Sequence, residues 1–199
     1  MTSTVTTVRN GSRRKCFTDG EASGQPPADR TKAEWRAWAL SREVPIGVSG
    51  LVQAHLAAWL QPGTVVLTYL ALPDEVDPGP PPDGLRLVVT RTPPDGPLTV
   101  HPIEVAMERG RLGILQPVAT APRWEDPVDV ALVPGLVFGR DGSRLGRGVG
   151  HYDRLFERLR VPVRVGVAWS GRVVDRLPSE DHDVAMTHLA TEDGVGPVG

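Results

Sequence analysis

Between Arg144 and Arg154 the chain reads RLGRGVGHYDR. Gly146, Gly148 and Gly150 alternate with larger residues, which frees the backbone to bend tightly and turn several N–H groups toward one anion. Arg144 and Arg147 add forked donors suited to phosphate oxygens. An apolar run, DVALVPGLVF, precedes the loop and an amphipathic stretch, HYDRLFERL, follows it. The loop is therefore expected between a strand and a helix whose first N–H groups and positive dipole end would face the same anion. No Gly-Lys-Ser/Thr follows, so this is not a Walker A loop. Its glycine spacing and its place in the C-terminal half also set it apart from a dinucleotide fingerprint. Glycines alone leave an ordinary glycine-rich turn open; the two arginines and the strand–loop–helix setting favour a phosphate or nucleotide site.

Carboxylates and a rare lysine extend the picture. Asp153 falls in the first turn of the expected helix, where it either complements the dipole or offers a hard oxygen ligand to magnesium beside phosphates. The run Ser179-Glu180-Asp181-His182-Asp183 is either a solvated acidic loop or the source of a second carboxylate. Of 22 basic residues only Lys15 and Lys32 are lysines. Lys32 and Arg36 lie four apart, on one face of an expected helix; each is either a solvated side chain or part of an anion site.

The positioning elements follow from hydrophobic periodicity. TKAEWRAWALSRE (31–43) places Trp35, Trp38 and Ala39 on one helical face. A second helix is expected after Ser49 as N-cap, with Leu51, Val52, Leu56, Trp59 and Leu60 toward the core, stopped by Gln61-Pro62-Gly63. Five runs read as strands: TVVLTYLAL, LRLVVTRT, LTVHPIEV, DVALVPGLVF and VRVGVAWS. The first and fourth are almost continuously apolar, as strands covered on both faces are. Further helical signals occur at 152–160 and weakly near 172–177, and Pro73 to Gly84 reads as a stiff proline-rich loop. These elements predict an α/β fold, a three-layer α/β/α sandwich with a mainly parallel sheet.

Bulk properties narrow the function classes. The 199 residues, 40% hydrophobic and 23% charged, make an ordinary globular balance for one domain over residues 31–199. Residues 1–30 lack periodicity and read as a disordered tail. Its basic, acid-poor first half superficially resembles a transit peptide, but a plain extension is the favoured reading. A net charge of −2 gives no reason to expect nucleic acid or an anionic membrane as partner. The one cysteine, Cys16, excludes an internal disulfide framework and a cysteine zinc site. A monomer in the cytoplasm is expected.

The segment LVPGLVFGRDGSRLGRGVGHYDR resembles the signature of 5-formyltetrahydrofolate cyclo-ligases, roughly PGLAFD-x-x-G-x-RLG-x-G-x-G-YYD-R. In the right order, Lys32-Ala33-Glu34-Trp35-Arg36 matches the family's Lys-x-x-Leu-Arg, and YLALPDEVD matches its strand followed by Glu-Ile/Val-Asp. Gly113-Ile114-Leu115-Gln116-Pro117 matches Gly-Ile-x-Glu-Pro with glutamine for glutamate. Leu177-Pro178-Ser179-Glu180-Asp181-His182-Asp183 and Thr191-Glu192 complete the series. The resemblance implies MgATP-dependent conversion of 5-formyltetrahydrofolate to 5,10-methenyltetrahydrofolate. It assigns Lys32, Arg144 and Arg147 to catalysis, and Lys32, Arg36, Arg144, Leu145, Gly146, Arg147, Gly148, Val149, Gly150, His151 and Tyr152 to ATP. Folate would meet Glu75, Arg147, Gly148, Val149, Gly150 and His151, and Asp153 and Asp183 would hold Mg2+. The chain departs from the pattern at Gly139 (usually Asp), Val149 and His151 (usually Tyr). A relative that binds folate or nucleotide without catalysis, as a sensor or interaction module, is the alternative.

Overall fold

The computed structural model describes residues 30–80, 82–110 and 113–199; the tail and Cys16 expected at the N-terminus lie outside residues 30–199. In chain order the elements are α1 (Lys32–Leu40), α2 (Val48–Trp59), β1 (Val65–Thr68), β2 (Arg86–Arg91), β3 (Thr99–Pro102), β4 (Met107–Arg109), β5 (Leu115–Pro117), β6 (Val130–Val133), β7 (Val137–Gly139), β8 (Arg144–Leu145), α3 (His151–Arg158), β9 (Val163–Val167), β10 (Val173–Val174), β11 (His188–Thr191) and β12 (Gly194–Pro197).

Strands of the main sheet lie in the order β12-β11-β9-β6-β1-β2-β3. The five central strands run parallel, and an antiparallel strand closes each edge. Both faces are covered, as continuous apolar strands require. On one face Val66, Val130, Leu132, Val165 and Val167 pack with Val52 and Leu56 of α2. On the other, Val65, Leu67, Ala131 and Val133 pack with Leu155 of α3 and with Phe138 of a three-stranded sheet, β10-β7-β8. The expected three-layer α/β arrangement holds, with that small sheet sharing the α3 side.

Local chemistry explains the elements that hold the site. Thr31 and Glu34 form a reciprocal capping box at the start of α1, the Glu34 amide donating to Thr31 Oγ1 and the Thr31 amide donating to Glu34 Oε2. Trp35 and Ala39 are buried against Leu136, Val137, Leu145 and Leu177, so α1 lies on the β7–β8 hairpin and presents Lys32 and Arg36 beside the loop that follows β8. That hairpin also accounts for Gly139. Asp141 Oδ1 accepts from the Ser143 amide and hydroxyl, organising the turn. A Cβ at residue 139 would fall 2.2 Å from Ser143 Oγ and 2.3 Å from Asp141 Oδ1, so a side chain there would displace this contact.

Four expectations are corrected. Ser49 does not cap α2, which begins at Val48 after Gly47 in a left-handed conformation; its hydroxyl instead accepts from the Asp77 amide and pins the 73–80 loop. Leu51 is 54% exposed rather than core. The run 129–138 is two strands in different sheets, split at Pro134-Gly135. No α-helix forms over 172–177: a 3-10 turn, Ser170–Arg172, leads into β10.

Phe138 is completely buried, joins the two sheets and approaches Gly166 of β9 within 2.5 Å of where a Cβ would stand. Phe138→Ala is expected to lower unfolding free energy by about 3–5 kcal/mol, measured by urea denaturation. A loss under about 1 kcal/mol would show that this ring does not tie the sheets together.

Candidate active site

β1 is where the strand order reverses, since the chain proceeds to β2 on one side and later to β6 on the other. In such sheets the crevice beyond the carboxyl ends of the diverging strands is the ordinary ligand site. Here it is a cleft of about 960 Å3, near the top of the roughly 300–1,000 Å3 range of ligand pockets. Tyr69 and Leu70 after β1, Thr90 and Thr92 at the end of β2, and Pro134 and Gly135 after β6 form its floor. Ile114, Leu115 and Gln116 of the β4–β5 hairpin line it, as do Lys32 and Arg36 of α1 and every residue from Arg144 to Asp153.

The glycine loop runs from β8 to the start of α3 and is fixed at both ends by one ion pair. Arg144 Nη2 donates to both Asp153 oxygens, at 2.8 and 2.9 Å, and both side chains are nearly inaccessible. The Val184 amide donates to the same carboxylate at 3.2 Å, and the Arg144 guanidinium sits 5.8 Å from the Tyr152 ring centre. Between these anchors the backbone is left-handed at Gly148 and Gly150. At Gly148 this close approach is needed: an added Cβ would sit 3.2 Å from the Arg36 guanidinium, whose Nε donates to the Gly146 carbonyl at 3.0 Å. Helix α3 then starts without a side-chain cap, leaving its first N–H groups available.

Two more cations in the cleft, Lys32 and Arg147, are held by carboxylates from separate loops. Lys32 Nζ lies 2.8 Å from Asp183 Oδ2 and 2.9 Å from Glu180 Oε1. Burial works against the Lys32 charge, but these two partners outweigh it and raise its pKa. Burial would likewise raise the Asp183 carboxyl; hydrogen bonds from Lys32 and the Glu180 amide, with the Lys32 charge, instead hold it below its ordinary value. Arg147 reaches across the cleft: Nη2 donates to Asp74 Oδ1 at 2.6 Å, and Nε lies 3.5 Å from Glu75 Oε1. Glu75 is mostly buried, and that burial raises its pKa against the opposing pull of the Leu72 amide and Arg147.

All the expected site residues face this one cleft, from Lys32 and Arg36 through Glu75, the loop 144–150, His151, Tyr152 and Asp153 to Asp183. Their pairings differ from a set of free phosphate ligands. Both oxygens of Asp153 are engaged by Arg144, whereas Asp183 keeps Oδ1 outside its contacts with Lys32 and Glu180. Among the described residues no three His, Cys, Asp or Glu side chains gather as a metal-binding group. Magnesium needs no such group, since one or two carboxylates plus phosphate oxygens suffice; Asp183, with Glu180 beside Lys32, fits that donor set. Val149 is exposed, and its carbonyl accepts from Arg154 Nη1 at 2.8 Å. The His151 imidazole lies 3.3 Å from Arg154 Nη2, and burial with that positive neighbour lowers its pKa. Sequence patterning did not single out Asp74, though it precedes Glu75. No helix among the described residues is long and apolar enough to cross a membrane.

A 5-formyltetrahydrofolate cyclo-ligase from Mycolicibacterium smegmatis is 47% identical over 64 residues, covering 32% of this chain and 33% of that protein. The Saccharomyces cerevisiae cyclo-ligase is 37% identical over 76 residues, 35% of this chain and 36% of the relative. The matched segments thus span only about a third of these relatives' length. The Aquifex aeolicus 5,10-methenyltetrahydrofolate synthetase superimposes with a TM-score of 0.68 at 27% identity, over 84% of this chain and 92% of that one. A Mycoplasma pneumoniae synthetase structure shares the fold, with a TM-score of 0.64 at 21% identity, 82% of this chain and 99% of that one. The model of the 5-formyltetrahydrofolate cyclo-ligase family matches residues 84–192, more than half of the sequence, and the chain belongs to that family.

Proposed function

We propose that the protein converts 5-formyltetrahydrofolate to 5,10-methenyltetrahydrofolate at the expense of ATP, releasing ADP and phosphate. The observation that carries this reading is the convergence of Lys32, Arg36, the loop 144–150 and Glu75 on one cleft at the carboxyl ends of β1 and β6. In the reaction the γ-phosphoryl group passes to the formyl oxygen. The neighbouring folate amine then attacks the formyl carbon and gives up its N–H proton, and phosphate departs with the oxygen. Such chemistry asks the protein for position and positive charge rather than covalent help.

Within this reading the amides of residues 146–150 and the uncapped start of α3 face the triphosphate. Lys32 meets its terminal oxygens by exchanging its carboxylate partners for phosphate. Arg144, locked to Asp153, supplies a fixed charge and holds the loop in shape. Arg36 supports the loop at the Gly146 carbonyl, and Arg147 reaches from the nucleotide side toward Glu75. Glu75, ionised, accepts hydrogen bonds from the pterin N–H groups, with His151 and Val149 at the lip. Mg2+, held by Asp183 and neighbouring oxygens, would neutralise charge on the phosphates. The same reading has the protein act as a cytoplasmic monomer without nucleic-acid or membrane partners, which the net charge of −2 and single cysteine favour.

Turnover is tested by the absorbance of the methenyl product when protein meets 5-formyltetrahydrofolate and MgATP. Folded protein that gives no product at high concentration sinks the reading and leaves the noncatalytic alternative, checked by ligand calorimetry. Lys32→Ala is expected to cut turnover at least about 100-fold, as loss of a transition-state charge contact does. Its melting temperature should barely move, because a partly exposed ion pair is worth about 0–1 kcal/mol. Asp153→Asn should behave differently. It strands the buried Arg144 charge, so it is expected to cost about 3 kcal/mol of stability as well as activity; full stability would show that the pair does not set the loop.

A pH profile follows from Glu75. Its folded pKa is raised, so ionisation opposes folding and stability from this group is lost as pH rises through that pKa. Folate binding needs the opposite, ionised state. Affinity should therefore fall on acidification before an ordinary exposed glutamate would protonate, and Glu75→Gln should flatten that fall. An identical profile in the variant would remove Glu75 from pterin recognition.

A further inference from the structure

Arg172 ends the 3-10 turn Ser170–Arg172 and is only 3% exposed, yet it does not line the cleft. Nη1 donates to the Asp74 carbonyl at 2.7 Å and Nη2 donates to the Arg42 carbonyl. Nε is buried with no partner among the described residues. A buried guanidinium spent on two carbonyls, with one donor unsatisfied, is a costly element for packing alone. Its turn is itself anchored, since the Ser170 amide and hydroxyl both donate to the Glu192 carboxylate, at 2.9 and 2.6 Å. The charged groups acting on it are those of the cleft's folate side: Asp74 and Glu75 favour its charge, whereas burial and Arg147 oppose it.

A continuous path results. Glu192 fixes the turn, Arg172 fixes the Asp74 carbonyl, the Asp74 carboxylate holds Arg147, and Glu75 is the next residue in the chain. We infer that Arg172 is a positioning residue for the Asp74–Glu75 step, setting where Glu75 and the tip of Arg147 stand without touching substrate. The inference rests on the proposed folate-and-nucleotide reading of the cleft. Only a fork spans two carbonyls from segments so far apart in sequence; the single ammonium of a lysine keeps the charge but not the span.

The test is steady-state kinetics of the full chain with Arg172→Lys and Arg172→Gln, each beside its melting temperature. Arg172→Lys is expected to raise KM for 5-formyltetrahydrofolate about tenfold, with kcat and KM for ATP changed less than about threefold, as misplacement of one substrate contact does. Arg172→Gln, lacking charge as well, should raise the folate KM further. A merely structural role would lower melting temperature and kcat while leaving both KM values alone, and that result overturns the assignment. Failure of both variants to fold overturns it too. Equilibrium folate binding separates this inference from the functional one. If wild type binds folate without turning it over, the catalytic reading falls, and the same tenfold affinity gap still decides the role of Arg172.

Discussion

The Arg144–Asp153 pair is the constraint on which the cleft depends, because it joins the residue entering the glycine loop to the helix leaving it. Three alternating glycines give a backbone able to wrap an anion, but that freedom is an entropic liability before the anion arrives. Closing the loop across its ends with a two-oxygen, nearly inaccessible ion pair removes most of it. A third contact, from the Val184 amide, ties the same carboxylate to the segment that carries Asp183. One carboxylate thus sets loop shape, helix start and the approach of the acidic segment together.

The same logic recurs across the cleft, where cations meet carboxylates delivered by other loops. Lys32 of α1 is held by the 180–183 segment, and Arg147 by the 74–75 step. In the proposed reading a triphosphate entering this site would take over cations already held by carboxylates, so each side chain is aimed beforehand. Arg144 is the exception, with side-chain accessibility of 6% against 22% for Lys32 and 35% for Arg147. The buried pair is suited to shape and the exposed pairs to exchange.

Much of this was legible in the sequence because it is local. The glycine alternation, the apolar runs of β1 and β6 and the spacing of Lys32 from Arg36 announce loop, helix and buried strands without tertiary knowledge. What stayed hidden is long-range. Nothing in DVALVPGLVF says that Pro134-Gly135 passes the chain from one sheet to another; that depends on where α1 packs. Ser49 carries the signature of an N-cap, yet its hydroxyl is taken by the proline-rich loop 28 residues later. The short strands β4, β5, β8, β10, β11 and β12 are two to four residues each, too brief for alternation to register. Arg172 looks like any arginine in an arginine-rich chain until its two carbonyl partners are seen.

The departures from the family pattern take on a different weight in three dimensions. Gly139 leaves room for the Asp141–Ser143 contact that organises this turn. Val149 contributes a carbonyl to Arg154 and an exposed side chain at the lip, so the loss of a charged or small residue there alters the rim and leaves the anchors intact. His151 starts α3 beside Arg154, and its lowered pKa favours a neutral imidazole whose flat face can still meet a planar ligand. None of the three touches the Arg144–Asp153 pair. The variation lies at the edge of the cleft, where it can change what enters, while the interaction that shapes the loop is preserved.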